Sequence, residues 1–231
     1  EAQVNLIRLL ASKANIQKGS KILDVGCGIG GTSIYLAKNF GARTTEVTIS
    51  TVQVEMAQKT AQQQKTNSAF YLMDAEQMTF SETFDALWIV GVLTHFVDEE
   101  NFIKGAAKFL NHGSKFILGD WMVAEGITEA ERKKYIQPVL QGMLMPNSYS
   151  INTYLQWFIK YGYRITYTED VTTKTTKTWD IALSIIKKPA VYKLAYREGA
   201  IFINFLQCIR AMRRAMKDGK LRYGVIVAEK L

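Results

Sequence analysis

The segment Ile22-Leu23-Asp24-Val25-Gly26-Cys27-Gly28-Ile29-Gly30-Gly31-Thr32 places one acid and four glycines between an apolar run and a helical one. Glycines let a chain turn tightly and admit a ligand where a Cβ would otherwise stand. A helix starting behind them offers unpaired N–H groups and positive potential. These glycines fit two spacings. Gly26, Gly28 and Gly31 satisfy the G-x-G-x-x-G of dinucleotide loops, and Glu46 lies 20 residues after Gly26, where a ribose-binding acid is sought. Gly26, Gly28 and Gly30 instead satisfy G-x-G-x-G, with Asp24 two positions ahead. Asp24 favours the second spacing, because a carboxylate is unwelcome beside a pyrophosphate and welcome beside a cation.

Such residues need a frame to hold them, and the apolar pattern supplies one. Strand-like runs are expected at Lys21–Val25, Thr44–Ser50, Phe70–Met73, Phe84–Val90, Lys115–Gly119, Tyr163–Thr168 and Tyr223–Ala228. Helical patterns fall between them, over 3–16, Thr32–Asn39, Thr51–Gln64, Glu99–Leu110, Glu129–Tyr135, Ile151–Tyr161, 178–187 and 191–217, with Asn111-His112-Gly113 read as a turn. Strands separated by helices argue a parallel sheet covered on both faces.

Composition narrows the field. With 231 residues, 48% hydrophobic and 22% charged, the chain has ample material for a core and is not a disordered one. No run of about 18 apolar residues suggests a membrane span, and the opening EAQVNLIRLL lacks the basic start and apolar block of a secretory signal. Cys27 and Cys208 are too few for a disulfide scaffold or a cysteine zinc site. A reduced, cytoplasmic, enzyme-sized domain is the expectation. The net charge is +8, and residues 187–222 hold ten basic and two acidic side chains, so that segment alone carries the imbalance. It is interleaved with a helical apolar stripe that includes Ile201, Phe202, Phe205, Leu206, Ile209, Met212 and Met216. The plain reading is a packed helix with a solvated basic face. The functional alternatives are an anionic substrate, peripheral attachment to a membrane, or an RNA-binding module.

The segments ILDVGCGIGGTS, VTISTVQVEMA, DAEQMTF, FDALWIVGVLTHF, KFLNHGSKFILGDWM and MRRAMKDGKLRYGVIVAEK resemble class I S-adenosylmethionine (SAM)-dependent methyltransferases. Within that class the chain looks most like the small-molecule branch of tocopherol and sterol C-methyltransferases, cyclopropane synthases and their fungal homologues. The resemblance spans residues 1–231 and implies one α/β domain. Its sheet would be Rossmann-like and doubly wound, with seven strands, mostly parallel and the last antiparallel. Helical insertions at about 121–160 and 175–219 would cap the acceptor. It also implies the cofactor, with S-adenosylhomocysteine as product. Asp24, Gly26, Gly28 and Gly30 would surround the methionine moiety, and Val90 with Gly91 would pass beneath it. Thr48 would face the ribose, Ile49 the nucleoside, and Gln53 would help hold the cofactor. Asp74 and Ala75 would form the adenine site. Two departures stand out. Thr48 falls where many relatives carry a ribose-binding acid, and Glu46 occupies a usual glycine position, where it would either replace that acid or face solvent. The resemblance further implies an N-terminal segment that closes over SAM, ahead of the first helix of the sequence shown.

The same reading assigns the chemistry. His95, in Leu93-Thr94-His95-Phe96, follows the fourth strand by five residues, and its imidazole suits proton removal near neutral pH. Val90-Gly91-Val92-Leu93 lacks the Asn/Asp-Pro-Pro-aromatic box of nucleic-acid amino methylases, the cysteine of pyrimidine C5 methylases and the oxygen ligands of metal-assisted enzymes. The reaction expected is therefore metal-independent methyl transfer to a carbon, nitrogen or oxygen of an apolar small molecule, with nucleic acid unlikely as acceptor. Trp121, Met143, Trp157 and Trp179, in the inserted regions, are the residues expected to line the acceptor pocket. The rival readings are a cyclopropanating or non-methylating enzyme of the same fold, an RNA-binding module, and an NAD-dependent dehydrogenase.

Overall fold

In the computed structural model, which describes residues 1–231 apart from the side chain of Ile201, strand and helix alternate from α1 (Ala2–Lys13) onward. β1 (Lys21–Val25) leads through the glycine loop to α2 (Gly31–Phe40). β2 (Arg43–Thr48) leads to α3 (Thr51–Gln64), and β3 (Ser68–Leu72) to a 3-10 turn at Ala75–Gln77. β4 (Phe84–Val90) runs into a second such turn, Leu93–His95, before α4 (Glu99–Ala106). After β5 (Leu110–Val123) come α5 (Glu129–Glu131), a π-helical turn at Arg132–Ile136, α6 (Gln137–Met143) and α7 (Ile151–Lys160). β6 (Tyr163–Asp170) is followed by α8 (Thr172–Thr175), α9 (Lys177–Ile186), α10 (Pro189–Glu198) and α11 (Ala200–Lys217), and β7 (Leu221–Lys230) ends the chain's regular structure.

The seven strands form one sheet in the order β3-β2-β1-β4-β5-β7-β6. β1 to β5 pair in parallel, while β7 runs against both of its neighbours, as expected for the last strand. Strand order reverses between β1 and β4, and in open sheets of this kind the crevice at that switch point takes ligands. Strand periodicity sorts the core onto two faces. Leu23, Leu87, Ile89, Phe116 and Leu118 pack on the α4 and α7 side. Ile22, Trp88, Ile117, Val225 and Val227 pack with Leu10 and Leu36 on the α1 and α2 side. A third cluster joins the end of β5 to the inserted helices through Val123, Val139, Trp179, Met212 and Leu221.

Three boundaries differ from the sequence reading. Asn111-His112-Gly113 is part of β5: Phe84 pairs with Leu110 and Ala86 with Lys115, so the intervening residues bulge from the ladder, with Gly113 at φ 82°. The strand also continues through Trp121 and Met122, because β7 pairs with it as far as Val123↔Leu221. The helix expected over 191–217 is two helices, broken at Gly199, whose φ of 74° and ψ of −153° suit only glycine. The Ile201 side chain, part of the expected stripe, lies outside the described residues.

Candidate active site

The glycine loop leaves β1 and turns back on itself before α2. Gly26 N and Cys27 N donate to Val47 O, and Gly30 N donates to Cys27 O. Gly26, Gly28 and Gly30 have φ of 73°, 57° and 78°, whereas Gly31 is outside the left-handed region. The three conformationally demanding positions are therefore those of G-x-G-x-G. A Cβ on Gly26 would sit 2.5 Å from the Val92 side chain, and one on Gly30 would sit 2.7 Å from the Phe70 ring. A Cβ on Gly31 would meet nothing within 4 Å, so the packing role of a third dinucleotide glycine is absent here. Gly28 likewise faces open space. Side chains of Ser50, Asp98 and Ser150 cap α3, α4 and α7, but α2 begins at Gly30 with no side-chain cap. Its first N–H groups are thus open to a ligand.

Asp24 ends β1 beneath this loop. It is 3% exposed and accepts a 2.6 Å hydrogen bond from Ser33 Oγ on α2. Burial raises its pKa to about 6, against the opposing pull of that bond. Glu46 is its register partner on β2. Neither expectation for Glu46 holds: it is 0% exposed, so it reaches neither solvent nor an open ribose site. Its Oε1 lies 2.8 Å from Thr44 Oγ1, which in turn lies 2.7 Å from Ser68 Oγ, while Oε2 is without a partner. Burial first, and then the Asp24 charge, push Glu46 up to about 9. The same surroundings push the neighbouring Cys27 thiol well above its usual range.

The remaining residues expected at the cofactor site gather along the C-terminal ends of β2 to β4. Thr48 Oγ1 donates to Gln53 Oε1 at 2.6 Å, joining two of them directly. Ile49 stands 79% exposed, with Ile29, Val52 and Leu72 also exposed around the loop ends. Asp74 accepts from Glu76 N at 2.9 Å and Gln77 Nε2 at 3.0 Å, stabilising the turn that starts at Ala75. Gly91, after Val90, donates to Gly119 O at 2.7 Å and has φ 72°. His95 is exposed on the turn that follows.

Two buried carboxylates went unremarked in the sequence. Asp120, 0% exposed at the end of β5, accepts from Thr94 N, Thr94 Oγ1 and Trp121 N, so it ties down the turn that carries His95. Burial raises its pKa, those bonds oppose the rise, and His95 is close enough to oppose it further. Glu99 is hydrogen-bonded to Tyr154 Oη on α7, and burial pushes it up to about 8. The available signal was an acid closing the apolar run Phe116-Ile117-Leu118-Gly119, as Asp24 closes Ile22-Leu23. Among the described residues, Asp24, Glu46, Glu99 and Asp120 are the buried carboxylates. Perturbed acids gather where chemistry is done.

The residues expected to meet the acceptor divide. Trp121 and Trp179 pack as a tilted pair with ring centroids 5.3 Å apart, Trp121 lies 4.6 Å from the Tyr223 ring, and Met143 packs into the same cluster. Trp157 does not join them. It packs on Tyr149 and Tyr154 at the other face of the sheet. A cavity of about 580 Å³ opens beside Trp121, walled by Leu6, Leu9, Val171 and Tyr223. Among the described residues no group of three His, Cys, Asp or Glu side chains could hold a metal ion.

Residues 1–219 match the family described as mycolic acid cyclopropane synthetase. The chain is 24% identical to the chloroplastic tocopherol O-methyltransferase of Arabidopsis thaliana, an alignment covering 100% of this chain and 70% of that protein. It is 27% identical to the 27-O-demethylrifamycin SV methyltransferase of Amycolatopsis mediterranei, over 100% of this chain and 84% of that one. A crystal structure of the mycolic acid cyclopropane synthase CmaA1 complexed with SAH and CTAB shares the fold with TM-score 0.86 at 18% identity, over 99% of this chain and 84% of that one. Matched along nearly its whole length, the chain belongs to the mycolic acid cyclopropane synthetase family, within the class I SAM-dependent methyltransferases, and is an enzyme of that class.

Proposed function

We propose that this enzyme moves a methyl group from SAM to a carbon, nitrogen or oxygen of an apolar or aromatic small molecule. The observation that carries the cofactor side is the loop. It sets three left-handed glycines before an uncapped helix, with Gly28 facing open space and a buried acid underneath. That donor set fits a cofactor with a carboxylate, an ammonium and a sulfonium. When bound, SAM supplies a methyl group already activated for in-line displacement. Alignment and exclusion of water are then the protein's main tasks, worth about 7–11 kcal/mol when achieved well.

In this reading Gly26, Gly28, Gly30 and the start of α2 receive the methionine carboxylate, with Val90 below. Asp24 supplies negative potential from beneath the loop. Thr48 and Gln53 hold the ribose, Ile49 covers the nucleoside, and Asp74 with Ala75 meets the adenine. His95 takes the proton that the acceptor loses, and Asp120, through Thr94, is the positioning residue for its turn. Trp121, Trp179 and Met143 form the acceptor wall. The volume beside Trp121, where Leu6, Leu9, Val171 and Tyr223 meet the polar Gln3, Asn5, Lys174, Thr175 and Thr178, is in the range of small-molecule sites, which supports a small-molecule acceptor. Trp157 has no part in that wall.

The matched family favours a second reading, cyclopropanation of an alkene. Both reactions add one CH₂ to the acceptor, so total mass alone does not separate them. A screen of lipids, prenylated phenols, sterols and indole alkaloids with methyl-deuterated SAM does. Methylation leaves all of the label's deuterium on the product, whereas ring closure loses one. A fold-sharing cyclase would leave the mass unchanged. Deuterium loss, or no mass change over the whole screen, would overturn the primary reading.

A further inference from the structure

The outer side of the inserted helices holds features that methyl transfer does not use. Lys187, at the end of α9, and Arg210, Arg213, Arg214 and Lys217, along α11, line a shallow groove whose only acid is Asp218. Arg213 is tied to Asp180 at 2.5 Å, and Arg214 lies over the Tyr135 ring. Lys187, Arg210 and Lys217 have no ion-pair partner among the described residues. Cations gathered around one concavity raise its positive potential and attract anions.

Exposed apolar side chains lie on α9, α10 and α11. Ile181 and Ile185, one turn apart on α9, are 59% and 47% exposed, and Tyr196 on α10 is 93% exposed. Ile203 shares a face of α11 with Arg210, Arg214 and Lys217 by helical spacing, while Cys208, Met212 and Ala215 on the opposite face are buried. A nucleic-acid groove would set cations along a phosphate track with aromatic faces for bases, and among the described residues the lining of this groove holds no aromatic side chain. Ile203 on the cationic face of α11, with exposed isoleucines on α9, instead suits the boundary between lipid headgroups and acyl chains.

We propose that the outer face of α9 to α11 docks on an anionic lipid surface. The charge complementarity is direct, since residues 187–222 carry the chain's entire net positive charge. Trp179, on the inner side of α9, packs against Trp121, so docking sets the acceptor wall one helix away from the membrane. Docking is independent of the proposed reaction, and its test reads no activity.

The test is co-sedimentation of the whole chain with vesicles of phosphatidylcholine, alone and with phosphatidylserine added. The expected result is binding only when phosphatidylserine is present, weakening as salt is raised. Lys187→Glu/Arg210→Glu/Lys217→Glu together should weaken it by at least roughly tenfold. Ile181→Ser/Ile185→Ser should weaken it by about threefold or more at low salt, because apolar insertion adds to the electrostatic attraction. Both variants should bind S-adenosylhomocysteine as the parent does, showing an intact fold. No binding of the parent to phosphatidylserine vesicles would overturn the proposal, as would charge-reversal variants that bind unchanged. So would competition by a single-stranded RNA in which the isoleucine variant behaves like the parent.

Discussion

Asp24 and Glu46 are register partners on neighbouring strands, both buried, and two like charges so placed are costly. Glu46 is the one held neutral, with its pKa raised to about 9. A carboxyl group whose folded pKa is raised contributes stability that is complete below its unfolded value and is lost as pH climbs through the folded one. Thermal stability should therefore decline between about pH 4.5 and 9, and Glu46→Gln should remove much of that decline. The two melting curves should coincide near pH 5 and separate near pH 9, by roughly 2–4 °C for each kcal/mol recovered. Asp24, at about 6, titrates at lower pH. If it faces the cationic end of the cofactor, calorimetric affinity for S-adenosylhomocysteine should weaken about tenfold from pH 7 to pH 5, as one proton must leave on binding. His95→Ala should lower turnover at least roughly tenfold while leaving that affinity unchanged. An undiminished turnover would remove the base assignment. Asp24, the glycines and His95 were readable from type and position. Glu99 and Asp120 were not, because whether an acid is buried depends on strands distant in sequence.

At the scale of elements, helices and strands followed from periodicity, and the errors came where tertiary pairing overrode a local signal. Asn-His-Gly reads as a turn, yet β4 and β7 hold the flanking backbone in their ladders. Gly199 had no neighbouring proline or polar cluster to announce a break. Gly142 shows the same limit for packing. A Cβ there would lie 2.2 Å from Cys208 Cβ, so this glycine sets how closely α6 and α11 approach. Gly142→Ala should cost about 1–3 kcal/mol by overpacking. Faster amide exchange should appear in α6 and α11, with β1, β4 and β5 keeping their protection. Uniform loss of protection would contradict a contact confined to the inserted helices.

Over the whole molecule, the α1 and α2 face of the sheet and the inserted helices form separate apolar clusters that meet at Trp121. Cofactor and acceptor binding should then be separable by mutation. Trp121→Ala should lower kcat/KM for the acceptor by about tenfold or more, the scale of one lost aromatic anchor, while S-adenosylhomocysteine binds as before. An equal loss of both would show that Trp121 supports the cofactor site instead. Among the described residues no helix is long and apolar enough to cross a membrane.

The sequence by itself determined the alternation of strand and helix, the acid-glycine loop and the excess of positive charge late in the chain. These are local properties, set by side-chain type and by periods of two and 3.6 residues. Only the tertiary structure decided which of two overlapping glycine patterns is used, because it sets Gly30 at φ 78° with Phe70 and Ala57 filling the space of a Cβ, and leaves Gly31 outside the left-handed region with open space beside it. It also decided that Glu46 is sealed beside Asp24, that Asp120 anchors the His95 turn, and that Trp157 parts company with Trp121 and Trp179. Each of these is a meeting of residues far apart in the chain, and burial, the quantity that sets their chemistry, exists only once the strands have assembled.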